Sequence, residues 1–111
     1  KKFCYITTAA CVSLGRGEDC PELGEFRAFR DRWLARTPSG RAKIAEYYLF
    51  APLVVEKIGR SGRARDEYRR VWDRYLAPCL ADLRAGDRER CAARYEEMVC
   101  RLERKWLSPA P

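Results

Sequence analysis

Six cysteines and the absence of histidine set the chemistry open to this 111-residue chain. Cys4, Cys11 and Cys20 lie toward one end, and Cys79, Cys91 and Cys100 toward the other. An even count divided this way points first to disulfides that staple the two ends together, as in small secreted domains. The number of cysteines alone does not select a pairing. Zinc and iron–sulfur binding is disfavoured, because there is no C-x-x-C pair and no His for a mixed-ligand site. No metal and no cofactor is therefore expected. A catalytic thiolate needs a base, and without His only carboxylates, Lys or Tyr remain. Conventional cysteine-hydrolase chemistry is disfavoured on that ground, no catalytic residue is assigned, and the chain is not expected to be an enzyme.

Helical phasing separates the six sulfurs. Cys4 and Cys11 are seven residues apart, two turns, and share a face if the segment is helical. Cys79 and Cys91 lie within apolar stripes, where cysteine packs as a small apolar residue. Cys100, nine positions beyond Cys91, is about half a turn out of phase and is expected to be a semi-exposed thiol. Cys20 precedes a proline-started helix, where backbone amides lower a thiol's pKa. It is thus either a half-cystine or a reactive thiol.

The elements that must position these groups are helices. From Arg65 to Arg84, Tyr68, Val71, Trp72, Tyr75, Leu76, Cys79, Leu80 and Leu83 recur at three and four residues, an apolar stripe interrupted by Pro78. Proline there predicts a kink or two abutting helices. Gly86 and Asp87 read as a helix stop followed by an N-cap. The last helix, from about Arg88 to Trp106, carries Cys91, Tyr95, Met98, Leu102 and Trp106 on one face. Upstream, Cys20-Pro21 starts a helix bearing Leu23, Phe26, Phe29, Trp33 and Leu34. Thr37-Pro38 starts another with Ile44, Tyr47, Tyr48 and Ala51, which Pro52 is expected to interrupt before Val54, Val55 and Ile58. Phe3 to Leu14 contains β-branched residues, but an isolated strand would lack a partner, so a short helix is expected. The reading is one all-α domain over residues 1–107, a compact bundle of five or six helices stabilised by disulfides, followed by a tail at 108–111.

Composition sets outer bounds. Apolar residues at 47% and aromatics at 12% give enough material for a core. No apolar run reaches the roughly 20 residues of a membrane span. The net charge of +7 suits nucleic acid or an anionic membrane. The arginines are nevertheless scattered and mixed with Asp and Glu, which favours an ordinary solvated surface. Without an initiating Met or a signal peptide, Lys1 is expected to mark a cut in a longer parent protein.

Several segments carry a resemblance. Cys4-Tyr5-Ile6-Thr7-Thr8-Ala9-Ala10 resembles the C-F-I-[AT]-T-A-A signature of bacterial CFI-box domains. Phe26-Arg27-Ala28-Phe29-Arg30-Asp31-Arg32-Trp33-Leu34 is similar to the family's L-R-x-F-R-D-x-x-L, and Tyr47-Tyr48-Leu49-Phe50-Ala51-Pro52 to its Y-Y-x-x-S-P. Gly40-Arg41 fits as well. The likeness covers the first half of the chain, with a cysteine-richer, longer subgroup sharing Ala77-Pro78-Cys79 and the Tyr95…Met98-Val99 helix. Tyr5 stands in place of the usual Phe, and Cys11 and Cys20 replace small or polar residues of the short version.

The resemblance implies a helical module at the C-terminus of varied, often exported bacterial proteins, with no established activity. It singles out Cys4 as a possible site of covalent attachment. In the Phe-Arg-Asp segment, Arg27 and Asp31 are four residues apart, and a structural ion pair between them is expected rather than a catalytic acid. The functional expectation is a non-catalytic module that docks, anchors or sorts the protein bearing it. Its partner would be a domain of the parent chain or another protein. The alternatives are a thiol-reactive or modified domain acting through Cys4 or Cys20, and a basic binder of nucleic acid or anionic membrane. Disulfide bonding would place the chain in an oxidising, extracytoplasmic compartment.

Overall fold

Each helix begins where the sequence supplies a reason to begin. In the computed structural model, which describes residues 5–108, six α-helices and two tighter or wider turns follow one another with no strand among the described residues. They are α1 (Tyr5–Ser13), α2 (Pro21–Arg32), a 3₁₀ turn (Leu34–Arg36), α3 (Pro38–Arg60), α4 (Ala64–Val71), a π-helical segment (Trp72–Leu76), α5 (Ala77–Arg84) and α6 (Arg88–Leu107). Proline at the first turn starts α2 and α3, where its missing N–H costs nothing. The Thr37 hydroxyl caps α3 by accepting from the Gly40 amide at 3.0 Å, and Asp87 caps α6 through the Arg90 amide at 3.1 Å. Gly86, at φ 81°, takes the left-handed conformation that ends α5 and turns the chain into α6.

The two internal prolines behave differently. Pro52 was expected to interrupt its helix, yet α3 runs through it for 23 residues. Proline removes the hydrogen bond to the Tyr48 carbonyl, but Ala51, Val54 and Ile58 on both sides of it are buried along one face, and this packing holds the helix together. Before Pro78 the backbone widens instead. The Ala77 amide reaches back five residues to the Trp72 carbonyl, giving the π-helical segment. That widening fits the need to relieve the clash of the proline ring with the preceding turn.

One core unites the elements. Ile6, Leu23, Val54, Ile58, Leu76 and Met98 are its innermost large side chains, with Cys11, Cys79 and Cys91 fully enclosed among them. Glu67 is also buried, at 4% exposure, in the stripe that α4 turns toward α6. It accepts from Lys105 at 2.9 Å, Arg70 at 2.7 Å and the Trp106 indole at 3.2 Å. Burial alone would raise its pKa, but these three donors outweigh that and hold it below the ordinary 4.5. Between neighbouring helices, Arg84 forks onto Glu25 at 2.6 and 3.1 Å, and Arg94 meets the buried Asp82 at 2.8 Å.

Gly40 marks the tightest approach. A Cβ built there would lie 1.8 Å from the Leu34 carbonyl oxygen, so the 3₁₀ turn packs directly on the first turn of α3. Gly24, within α2, has nothing within 4 Å of the same position. Gly40→Ala is therefore expected to destabilise the fold by at least about 2 kcal/mol, because backbone must move. Gly24→Ala should stabilise it by about 0.5–1 kcal/mol. Urea denaturation of the two variants checks the opposite signs.

Candidate functional site

Three helices that are distant in sequence meet at a shared hydroxyl cluster. The Tyr47 hydroxyl on α3 accepts from the Ile6 amide in the first turn of α1 at 2.8 Å. The Tyr95 hydroxyl on α6 shares a 2.7 Å hydrogen bond with the buried Thr7 hydroxyl and donates to Tyr47 at 3.3 Å. The rings pack edge to face, Tyr47 against Tyr95 at 5.8 Å and against Tyr48 at 5.3 Å, while Tyr5 meets Tyr48 at 5.6 Å. Arg30 on α2 donates to the Tyr48 hydroxyl.

Above these rings α2, α3 and α6 leave a groove with a cavity of about 150 Å³. Phe26, Phe29, Leu34, Ile44, Ala92 and Val99 make its walls predominantly apolar. Lys43 and Glu96 close one side with an ion pair of 2.9 Å. Glu46 and Glu103 stand on the same lining, and among the described residues neither has a hydrogen-bonding or ion-pair partner. Burial first, and repulsion from Glu46 second, push the Glu103 carboxyl above its ordinary 4.5. An apolar slot beside two carboxylates of like charge, one of them partly desolvated, is suited to an apolar side chain followed by a cation.

A second concavity, of about 460 Å³, lies between the α4–π segment and α6. Arg70, Arg74, Arg101, Arg104 and Lys105 surround it, with Glu67 as its single carboxylate. Glu67 is already engaged by Arg70 and Lys105. The exposed Arg74, Arg101 and Arg104 have no ion-pair partner among the described residues and can meet an anion. Among the described residues no group of three or more Cys, Asp or Glu converges as metal ligands, and no helix is long and apolar enough to cross a membrane.

The cysteines are placed only partly as expected. Cys79 and Cys91 do face the core, Cys11 is enclosed with them, and Cys100 is exposed, on the wall of the groove. Cys20 sits at the N-cap of α2 as its sequence suggested, but it is buried at 9% exposure rather than open to reagents. Cys4 lies outside the described residues. The expected staples between the two groups are absent: all five described cysteines are free thiols. Within each group the cysteines are neighbours without being bonded, Cys11 beside Cys20 and Cys79 beside Cys91, because each pair belongs to helices joined by a short turn.

The Arg27–Asp31 pair is also corrected. Asp31 bonds Arg30 at 2.8 Å and is 62% exposed, while the Arg27 Nε is buried with no hydrogen-bond partner. Asp31 points outward from α2, where the Arg30 guanidinium reaches it and Tyr48 together. The bond from Arg30 holds the Asp31 carboxyl below its ordinary value.

Sequence reading missed the Thr7–Tyr47–Tyr95 cluster and the two groove carboxylates, because pairing of α3 with α6 is not written in either helix. Glu67 did carry a signal. It occupies a stripe position with Ala64, Tyr68 and Val71, where a carboxylate is out of place unless it has partners.

Glu103 provides a pH test. A carboxyl raised in the folded state favours folding most below its ordinary pKa, and that contribution is lost as pH rises through the raised value. Glu103→Gln should therefore raise Tm by a few degrees at pH 7 and leave it unchanged near pH 3. In the native protein, carbon-detected NMR titration should place the Glu103 midpoint above 4.5, and Glu46→Gln should lower that midpoint.

Comparison with protein-family models, with curated proteins and with solved structures found no match.

Proposed function

We propose that the protein is a non-catalytic helical module that docks, anchors or sorts the polypeptide carrying it, and that the groove between α2, α3 and α6 is its docking site. The occupant is a protein segment that inserts one aromatic or large aliphatic side chain and sets a Lys or Arg against Glu46 and Glu103. The observation that carries this reading is the apolar cavity bordered by two carboxylates that have no partner among the described residues. A cavity of about 150 Å³ accepts one ring of benzene size, so one anchor side chain is the natural ligand. A cation from the partner would relieve the repulsion between Glu46 and Glu103 at the moment the anchor excludes water. The resemblance to CFI-box domains, carried at the ends of varied bacterial proteins, is in keeping with a docking role.

Titration of ¹⁵N-labelled protein with an acetylated, amidated Phe-Arg dipeptide tests this. The amides of Tyr47, Val99 and Glu103 should shift. A Phe-Glu dipeptide should bind at least about fivefold more weakly, equivalent to about 1 kcal/mol. Changing Glu46 and Glu103 together to Lys should reverse the preference. Equal affinity for the two dipeptides, or shifts that fall outside the groove, would defeat the reading.

The basic cleft favours a second reading, binding of nucleic-acid phosphates. Three arginines with no ion-pair partner among the described residues line a concavity, which admits a strand backbone more readily than a planar bilayer. Fluorescence anisotropy with a labelled single-stranded RNA should show binding whose log–log salt slope is roughly −2 for about three phosphates. Replacing Arg74, Arg101 and Arg104 by Ala should abolish it. Absence of RNA binding at low salt, or binding to vesicles containing phosphatidylglycerol alone, sinks this second reading.

A further inference from the structure

The buried thiols come in two neighbouring, unbonded pairs, each on helices that are consecutive in the chain. Cys11 lies in the last turns of α1 and Cys20 at the N-cap of α2, with exposures of 0% and 9%. Gly15 and Gly17, at φ 79° and 87°, take left-handed conformations that only glycine adopts readily, and they turn the chain back so that Cys20 returns beside Cys11. Cys79 lies on α5 and Cys91 in the first turn of α6, both fully enclosed, and Gly86 makes the corresponding turn. The Cys79 Sγ donates to the Cys91 carbonyl at 3.6 Å, which sets the two residues side by side.

We infer that Cys11–Cys20 and Cys79–Cys91 are two dithiol sites that a small-molecule disulfide oxidises to structural disulfides while the chain folds. Each bridge would tie one helix to the next, α1 to α2 and α5 to α6, in place of the end-to-end staples suggested by the spacing of the cysteines.

The reaction balances. One thiol of a pair loses its proton and attacks the oxidant RS–SR, forming a protein–SR mixed disulfide and releasing RS⁻. The second thiolate then attacks the protein sulfur of that mixed disulfide, the S–SR bond breaks, and a second RS⁻ leaves. Each protein pair gives up two electrons and two protons, and the oxidant is reduced to two RSH.

Timing follows from burial. In the folded protein Cys11 is pushed up to about 12, by burial first and by Cys20 second. Cys79 is raised as well, by its hydrogen bond with Cys91 and by burial. A thiol at about 12 is ionised to roughly one part in 10⁴ at pH 8, and an enclosed sulfur offers the oxidant no access. Exchange therefore precedes closure of the core. Once formed, the bridges are shielded from reductants by the same packing. Cys100, exposed on α6, has no thiol partner among the described residues and stays outside this chemistry.

The test is oxidative refolding of the full chain with oxidised and reduced glutathione, followed by alkylation, non-reducing digestion and mass spectrometry. Cross-linked peptides joining Cys11 to Cys20 and Cys79 to Cys91 are expected, with Cys100 alkylated. Reduction in denaturant and refolding under reductant should lower Tm by roughly 10 °C or more, the scale expected for two short bridged loops. Protein exported to a bacterial periplasm should give the same map without refolding. Free thiols at all four positions in both preparations, or bridges joining the two cysteine groups, would overturn the inference. A single bridge would overturn it for the other pair.

Discussion

The first turn of α1 is buried at Ile6 and Thr7, and the Ile6 amide and the Thr7 hydroxyl find partners on other helices. Its position depends on the Tyr47 hydroxyl, which takes the Ile6 amide, and on the Tyr95 hydroxyl, which joins Tyr47 to Thr7. An unsatisfied buried donor costs about 1–3 kcal/mol, so α1, which packs on α3 and α4, is seated at this end by the two tyrosine hydroxyls that reach it from α3 and α6. The same two rings form the floor of the groove. The contact that seats the N-terminal helix therefore also shapes the surface proposed to receive a partner.

Charge is sorted by burial. The two buried carboxylates are each taken up by cations and indole or guanidinium donors, Glu67 by Arg70, Lys105 and Trp106, and Asp82 by Arg94. These bonds use some of the chain's excess arginine to tie α4 and α5 to α6. Among the described residues what remains is unevenly distributed, with guanidinium groups that have no ion-pair partner around one cleft and two carboxylates without partners along the groove. Two concave surfaces of opposite character thus arise on a chain whose net charge of +7 suggests only one.

Proline and cysteine show how the same residue type gives different results in different surroundings. Pro52 is carried within α3 by buried neighbours on both sides, whereas Pro78 coincides with a change in hydrogen-bond register in the preceding turn. Cysteines spaced as if for long staples lie beside their nearer neighbours in the chain, because short glycine turns return each helix onto the previous one. Local sequence rules describe what a residue does to its own turn, while packing selects among the outcomes that remain.

Much of the architecture was legible in the sequence. The all-α character, the starts at Pro21, Pro38 and Arg88, the stop at Gly86 and the core-facing Cys79, Cys91, Met98 and Leu102 follow from periodicity and capping chemistry, which act over one or two turns. The exposed position of Cys100 followed from the same phasing. Tertiary structure alone decided that Tyr47, Tyr95 and Thr7 share their hydroxyls, that Asp31 turns to Arg30, that Glu46 and Glu103 line one groove, and which cysteines become neighbours. A helical pattern specifies which face of a helix is apolar, and it carries no record of which other helix will cover that face.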